Sequence, residues 1–156
     1  MNAVLRSLGL IDKTVHCGGE EPTVCGRILA KELLARYGQT TRILHVGYHP
    51  GHIEALARVF HDNLIVTDLS NQLIWRRKHG RLVVDGMLNK YLLDQVDIIL
   101  LTASSIVNGT AWEIIEQAIL LDKKVIVYGV SSTAAIYLLR EKIRLSNIEH
   151  YCPYGR

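Results

Sequence analysis

The sequence predicts an α/β protein, a Rossmann-like three-layer domain built on a mostly parallel sheet, and three observations carry that prediction. First, Arg42 to Asn71 reads as strand, tight turn, helix, strand. Ile43, Leu44 and Val46 form an apolar run that stops at Gly47. Ile53, Leu56, Ala57 and Phe60 then recur at helical spacing, and a second run from Leu64 to Thr67 ends on Asp68. Second, Val96–Thr102 is nearly continuous apolar, as strands buried on both faces are, and Lys124–Tyr128 is a further strand of that kind. Third, helical patterns separate the strand patterns, which implies right-handed crossovers between parallel neighbours.

In chain order, residues 1–21 are weakly patterned. Pro22 suits a first helical turn, whose N–H groups lack partners anyway. A helix follows from about Thr23 to Tyr37, with Ala30, Leu33, Leu34 and Tyr37 on one face and Gly38 as its stop. Beyond Asp68, Leu73–Trp75 and Leu82–Val84 flank a Lys78-His79-Gly80 turn, as in a hairpin, and Met87–Leu93 reads as a short helix. Ala103–Gly109 is a small polar loop. Thr110 and Glu113 have capping-box spacing before a helix that runs to about Leu121 and places Ile115, Ala118 and Ile119 together. Lys123-Lys124 at its end complements the helix dipole. After the loop Gly129–Thr133, a helix from Ala134 to about Ile143 carries Ile136, Leu139 and Ile143 on a stripe, and Ile148–Tyr151 forms one more short strand.

The 156 residues read as a single domain, with an N-terminal loop and helix over 1–40 and the core over 41–151. Composition is ordinary for a globular protein at 49% hydrophobic and 21% charged, and the net charge of +3 is spread out. The one basic run, Arg76-Arg77-Lys78-His79, is short and has no aromatic ladder, which argues against nucleic acid. No apolar run approaches the ~18 residues of a membrane span. The N-terminus lacks the apolar core and cleavage site of a secretory signal. Three cysteines without C-x-x-C spacing fit a reduced, cytoplasmic protein.

Ligands of such sheets bind beyond the carboxyl ends of the strands, where the strand order reverses. Four loops fall there: Gly47–His52, Asp68–Asn71, Ala103–Thr110 and Gly129–Thr133. The first holds His49 and His52, at the turn and the helix start, and neutral imidazoles spaced i, i+3 suit one divalent metal. His45, inside the strand, reads as a core residue. His16, Cys17 and Cys25 would add soft ligands if the N-terminal segment folds over the cleft; otherwise the cysteines are small buried hydrophobes. Asp68 stands where dinucleotide and S-adenosylmethionine folds place an acid for ribose hydroxyls. With Gly47 and Gly51 it supports an alternative, a methyltransferase-like enzyme using S-adenosylmethionine as cofactor. Against a dinucleotide, Gly47-Tyr48-His49-Pro50-Gly51 is not G-x-G-x-x-G, and Pro50 removes one of the N–H groups that would hold a pyrophosphate. Ser104, Ser105, Ser131, Ser132 and Thr133 offer hydroxyls and N–H groups at helix starts, suited to an anion. No base follows them as in a nucleophile elbow, which argues against serine hydrolysis. Asn108-Gly109-Thr110 is either a turn with a helix cap or a polar contact to the ligand.

Three segments together resemble the putative heavy-metal chelation family, a domain of unknown function with a Rossmann-like C-terminal domain. They are Val46-Gly47-Tyr48-His49-Pro50, Thr102-Ala103-Ser104-Ser105 leading into Val107-Asn108-Gly109-Thr110, and Val127-Tyr128-Gly129-Val130-Ser131. The family pattern runs V-G-Y-F-P, then T-G-(S/T)-(S/T) leading to N-G-T, then G-P-(S/T). The likeness covers about Arg42 to Tyr151. It implies a cleft for a metal ion or a metal-bearing or anionic small molecule, and leaves open whether any reaction is catalysed. With the loop reading, the expected ligand-binding residues are Gly47, Tyr48, Asp68, Ser104, Asn108, Gly109, Thr110, Ser131 and Ser132, and the expected metal ligands are His49 and His52. Here His49 replaces the family's aromatic and Val130 its proline. Family members also carry an N-terminal domain like that of enolase, where this chain has only about 40 residues. The resemblance therefore implies a homo-oligomer, or a partner that supplies the missing domain, closing the cleft; as a further alternative the chain is a non-enzymatic scaffold completed in that way.

Overall fold

The computed structural model describes residues 2–11, 17–143 and 147–153, without the side chains of 139–143. His16 lies outside the described residues, as do the side chains of Leu139 and Ile143.

Seven strands form one sheet in the order β3-β4-β2-β1-β5-β6-β7. They are β1 (Ile43–Val46), β2 (Leu64–Asp68), β3 (Arg77–Lys78), β4 (Arg81–Asp85), β5 (Ile98–Thr102), β6 (Lys124–Tyr128) and β7 (Ile148–Tyr151). All neighbours pair parallel except β3 with β4, which is antiparallel at the sheet edge. From β1 the chain steps outward to β2 and β4, then crosses back to β5 on β1's other side. The order therefore reverses between β1 and β5, which locates the ligand crevice of this fold class.

The helices are α1 (Asn2–Ser7), α2 (Glu21–Tyr37), α3 (Pro50–Phe60), α4 (Asn89–Leu92), α5 (Ala103–Val107), α6 (Ala111–Leu120) and α7 (Thr133–Ile143). Alternation along the strands separates two cores. Ile43, Ile98, Leu100 and Ile126 pack with Leu29 and Leu33 of α2 and Ile53 and Leu56 of α3. Leu44, Ile99, Leu101 and Val127 pack with Ile114, Ile115 and Ala118 of α6 and Ile136 of α7. With both faces covered, the central strands can be apolar throughout, which is why they were legible as runs.

Five local expectations are corrected. Residues 71–75 are a turn, not a strand. Trp75 takes φ 63°, reversing the chain, while its N–H still bonds Val83 O at 2.8 Å, so the hairpin's first strand starts only at Arg77. Met87–Leu93 is not one helix: a 3-10 turn over Gly86–Leu88, capped by the Asp85 carboxylate on Met87 N, precedes α4, and a second 3-10 turn covers Leu93–Gln95. Ala103–Gly109 is not all loop, since α5 occupies most of it. Ser105 Oγ there donates back to Thr102 O at 2.5 Å, a local bond that lets serines sit in a helical turn. The capping box at Thr110 does not form: Thr110 has helical φ/ψ, and its hydroxyl donates instead to Asn108 Oδ1 at 2.8 Å. The fifth correction, to the position of His52, belongs to the site.

Candidate functional site

A cavity of about 500 Å³ opens at the carboxyl ends of β1, β2 and β5, within the size range of small-molecule sites. Gly47 forms its floor at φ 87°, where a Cβ would stand 2.7 Å from Thr102 Cγ2. Glycine is required there on both counts. Gly47 N donates to Thr67 O at 2.8 Å, and the buried Tyr128 hydroxyl lies 2.9 Å from Val46 O and 2.8 Å from Gly47 O. Burial pushes the Tyr128 phenol well above its usual range, so it is a fixed donor at any ordinary pH.

Asp68 braces the turn rather than standing free. Its Oδ2 accepts from Tyr48 N at 2.6 Å and its Oδ1 from Ser70 N at 2.7 Å. Both carboxylate oxygens therefore already hold backbone N–H groups of the two loops that follow β1 and β2.

The three histidines separate. His49 lines the cavity and caps α3: its Nδ1 accepts from His52 N at 3.3 Å. Burial lowers its pKa, so the ring is neutral at neutral pH, and with Nδ1 accepting, its proton sits on Nε2. His49 thus offers the cleft a donor. His52 was expected to face the cleft; instead it is only 2% exposed and points beneath α3 toward α2. Its Nδ1 is 3.3 Å from His45 Nε2 and its Nε2 is 3.3 Å from Cys25 Sγ. The N-terminal turn of α3 faces α2 there, and that packing takes the imidazole inward. His45 is fully buried, as its place in β1 implied. Burial, then the neighbouring His49, lowers His45 to about 3; burial, then His45 and His49, lowers His52 to about 2. Burial likewise pushes the Cys25 thiol up to about 12.

Of the expected ligand residues, Gly47, Tyr48, Asp68, Ser104, Asn108 and Thr110 line the cavity together. Gly109, at φ 82°, shapes the turn without lining the cavity, and Ser131 and Ser132 do not line it either. Ser132 is buried with its hydroxyl on Gly129 O at 2.9 Å, and Ser131 is exposed. Sequence reasoning missed Asn89, Lys90, Gln117 and Tyr128 in the lining. Tyr128 ends a strand beside the crevice and was recoverable from that position; Asn89 and Lys90 sit in a helix whose limits the pattern did not give.

Asn89 is 8% exposed, and Thr67 Oγ1 donates to its Oδ1 at 2.8 Å. Asn108 is exposed, and its Oδ1 accepts from both Thr110 N at 3.1 Å and Thr110 Oγ1 at 2.8 Å. A backbone N–H can only donate, which fixes the orientation of that amide.

These residues do not fit a resident metal ion. Among the described residues no three of His, Cys, Asp and Glu come together in a metal-holding arrangement. His52 has both ring nitrogens in contact with buried neighbours, and His49 presents a protonated nitrogen. Cys25 lies under α3 against His52, outside the cavity lining.

The model of the family described as putative heavy-metal chelation, DUF364, matches residues 30–143, well over half of the chain. No curated protein matches. Two solved structures of DUF364 proteins of unknown function are similar. One, from Pyrococcus horikoshii, is 27% identical, with a TM-score of 0.49 over 59% of this chain and 34% of its own. The other, from Desulfitobacterium hafniense DCB-2, is 13% identical, with a TM-score of 0.50 over 87% of this chain and 47% of its own, and supports the fold alone. The chain thus spans between a third and a half of those proteins. On the extent of the family match, this chain belongs to the DUF364 family.

Proposed function

We propose that the cleft between β1 and β5 binds an acceptor-rich, anionic small molecule that brings any metal ion already chelated, so that the protein holds the complex and not the bare ion. The observation that carries this reading is the lining itself. It is several times the size of an ion, it lacks a closed ligand set, and it presents donors: His49 Nε2–H, the side-chain amides, Ser104 and Lys90. Asp68 and Glu113 are also in the lining, but the Asp68 oxygens already hold two backbone N–H groups. A chelating molecule satisfies most of the metal's coordination, leaving the protein to recognise oxygen atoms.

Calorimetric titration with nickel and zinc chlorides, and separately with their citrate complexes, tests this. Saturable binding is expected for the complexes and not for the chlorides. Stoichiometric binding of the bare ions that disappears in a His49→Ala/His52→Ala variant would establish direct chelation instead. The same titration with S-adenosylmethionine probes the methyltransferase-like alternative, for which the Asp68 carboxylate, holding one backbone N–H on each oxygen, still has acceptor sites for a ribose hydroxyl.

A further inference from the structure

We infer that Asn89 and Asn108 form a clamp of amide N–H donors that takes a carboxylate of the ligand. This rests on the small-molecule reading above and names the group by which that molecule is recognised. Both side chains line the same cavity: Asn89 opens α4 after β4, and Asn108 follows α5 after β5. Each has its oxygen held by a threonine. Thr67 Oγ1 occupies Asn89 Oδ1, and Thr110 N and Oγ1 occupy Asn108 Oδ1. Pinning the oxygen leaves each NH₂ group as the free end, and each NH₂ is a donor only.

For Asn89 the direction of that free end follows from burial. The residue is 92% removed from solvent. Yet among the described residues its Nδ2 is not one of the buried polar atoms lacking a partner, and its one side-chain hydrogen bond is made by Oδ1. What remains exposed therefore includes Nδ2, and the surface to which Asn89 contributes is the cavity wall. That leaves the Asn89 NH₂ as a donor at the cavity wall, available to an acceptor on the ligand in place of water. A carboxylate has two oxygens, each able to take one amide. Lys90, next in sequence and also in the lining, supplies positive charge.

The test uses the full chain and metal-free citrate. In ¹⁵N spectra the side-chain NH₂ signals of Asn89 and Asn108 are expected to shift together, with one dissociation constant. Asn108→Asp, at an exposed position that tolerates the change, replaces a donor by a repelling oxygen and should weaken citrate by about tenfold or more. Asn89→Asp should do the same, with its thermal midpoint checked because the site is buried. Neither NH₂ signal moving with citrate, or an unchanged dissociation constant in Asn108→Asp, overturns the clamp. Zinc citrate, which is diamagnetic, separates the two ideas. If it binds without moving either amide, the clamp is wrong and the small-molecule reading stands. If metal-free citrate moves both amides and zinc citrate does not bind, the clamp stands and the metal-bearing reading falls.

Discussion

The backbones of Gly26 in α2 and Gly51 in α3 touch: a Cβ built on Gly26 would lie 2.0 Å from Gly51 O, and one on Gly51 would lie 2.2 Å from Pro22 O. The obstacle in both cases is main chain, which cannot rotate away. Gly26→Ala should therefore force the two helices apart and lower stability by about 3 kcal/mol, read by urea unfolding. Gly18→Ala, with nothing within 4 Å and an ordinary φ, should change it by less than about 0.5 kcal/mol. Equal effects of the two substitutions would contradict the contact.

That contact also seals His52 and Cys25, and the seal should make the fold acid-sensitive. The folded-state values of His45, about 3, and His52, about 2, lie below their ordinary value of 6.5. The unfolded chain therefore binds more protons between pH 6.5 and those values. Stability is fully present above pH 6.5 and falls as pH drops below it, with a slope approaching ~1.4 kcal/mol per pH unit for each histidine. Glu149 adds to the loss only at lower pH, as its carboxylate, held down to about 2 by the Arg36 guanidinium, becomes protonated. Urea midpoints measured from pH 7 to 5 check this, and His52→Gln should flatten the profile. A stability constant over that window would refute it.

Cysteine reactivity should divide the same way. Cys25 is buried with its thiol pushed up to about 12, whereas Cys17 and Cys152 are partly exposed. An aromatic disulfide reagent should modify two thiols of the folded protein promptly and Cys25 only on unfolding. Peptide mapping identifies the slow site, and prompt labelling of Cys25 would show the α2–α3 contact to be open.

Removing the acceptors of Asp68 tests its bracing role. Asp68→Asn keeps one oxygen and sets an NH₂ against a backbone N–H, at a cost of ~2 kcal/mol. The loss should appear both in urea unfolding and as weaker binding of the citrate complexes, because the Gly47–His49 turn loses its anchor at Tyr48 N. Weaker binding with stability intact would instead mean that the carboxylate contacts the ligand.

Tyr128→Phe deletes the hydroxyl that lies between Val46 O and Gly47 O. A loss of about 1 kcal/mol is expected, with the ring packing against His45 and His52 retained. Differential calorimetry reads it, and no change in midpoint would show the bond to be dispensable.

The strands and the helices that cover them were legible because burial on both faces leaves a largely apolar signature, which Ile43–Val46 carries apart from His45, Ile98–Thr102 up to its last residue, and Lys124–Tyr128 after its first. The loops around the crevice were legible for a related reason, since Gly47 and Asn108-Gly109-Thr110 interrupt that signature with residues suited to turns. What was not legible depended on contacts distant in sequence. His52 lies on the apolar stripe beside Ile53 and Leu56, and periodicity alone does not say whether an imidazole at the helix start turns toward α2 or toward the cleft. The backbone contact of Gly26 decides it, from 25 residues upstream of Gly51. Asn89 was invisible because its partner, Thr67, is 22 residues away and reads only as the end of a strand.

Thr67 and Asp68 are consecutive, and strand alternation sends their side chains to opposite faces of the sheet. Thr67 reaches Asn89, and Asp68 reaches Tyr48 and Ser70. The last two residues of β2 thus act as a caliper, one jaw on each flank of the opening. A slip of β2 by one residue would exchange the jaws, placing an acid against the Asn89 carbonyl and a hydroxyl beneath the Gly47 turn. The gauge of the opening is therefore set by the end of the strand that lines it, and redesign of what it admits would begin at positions 67 and 68.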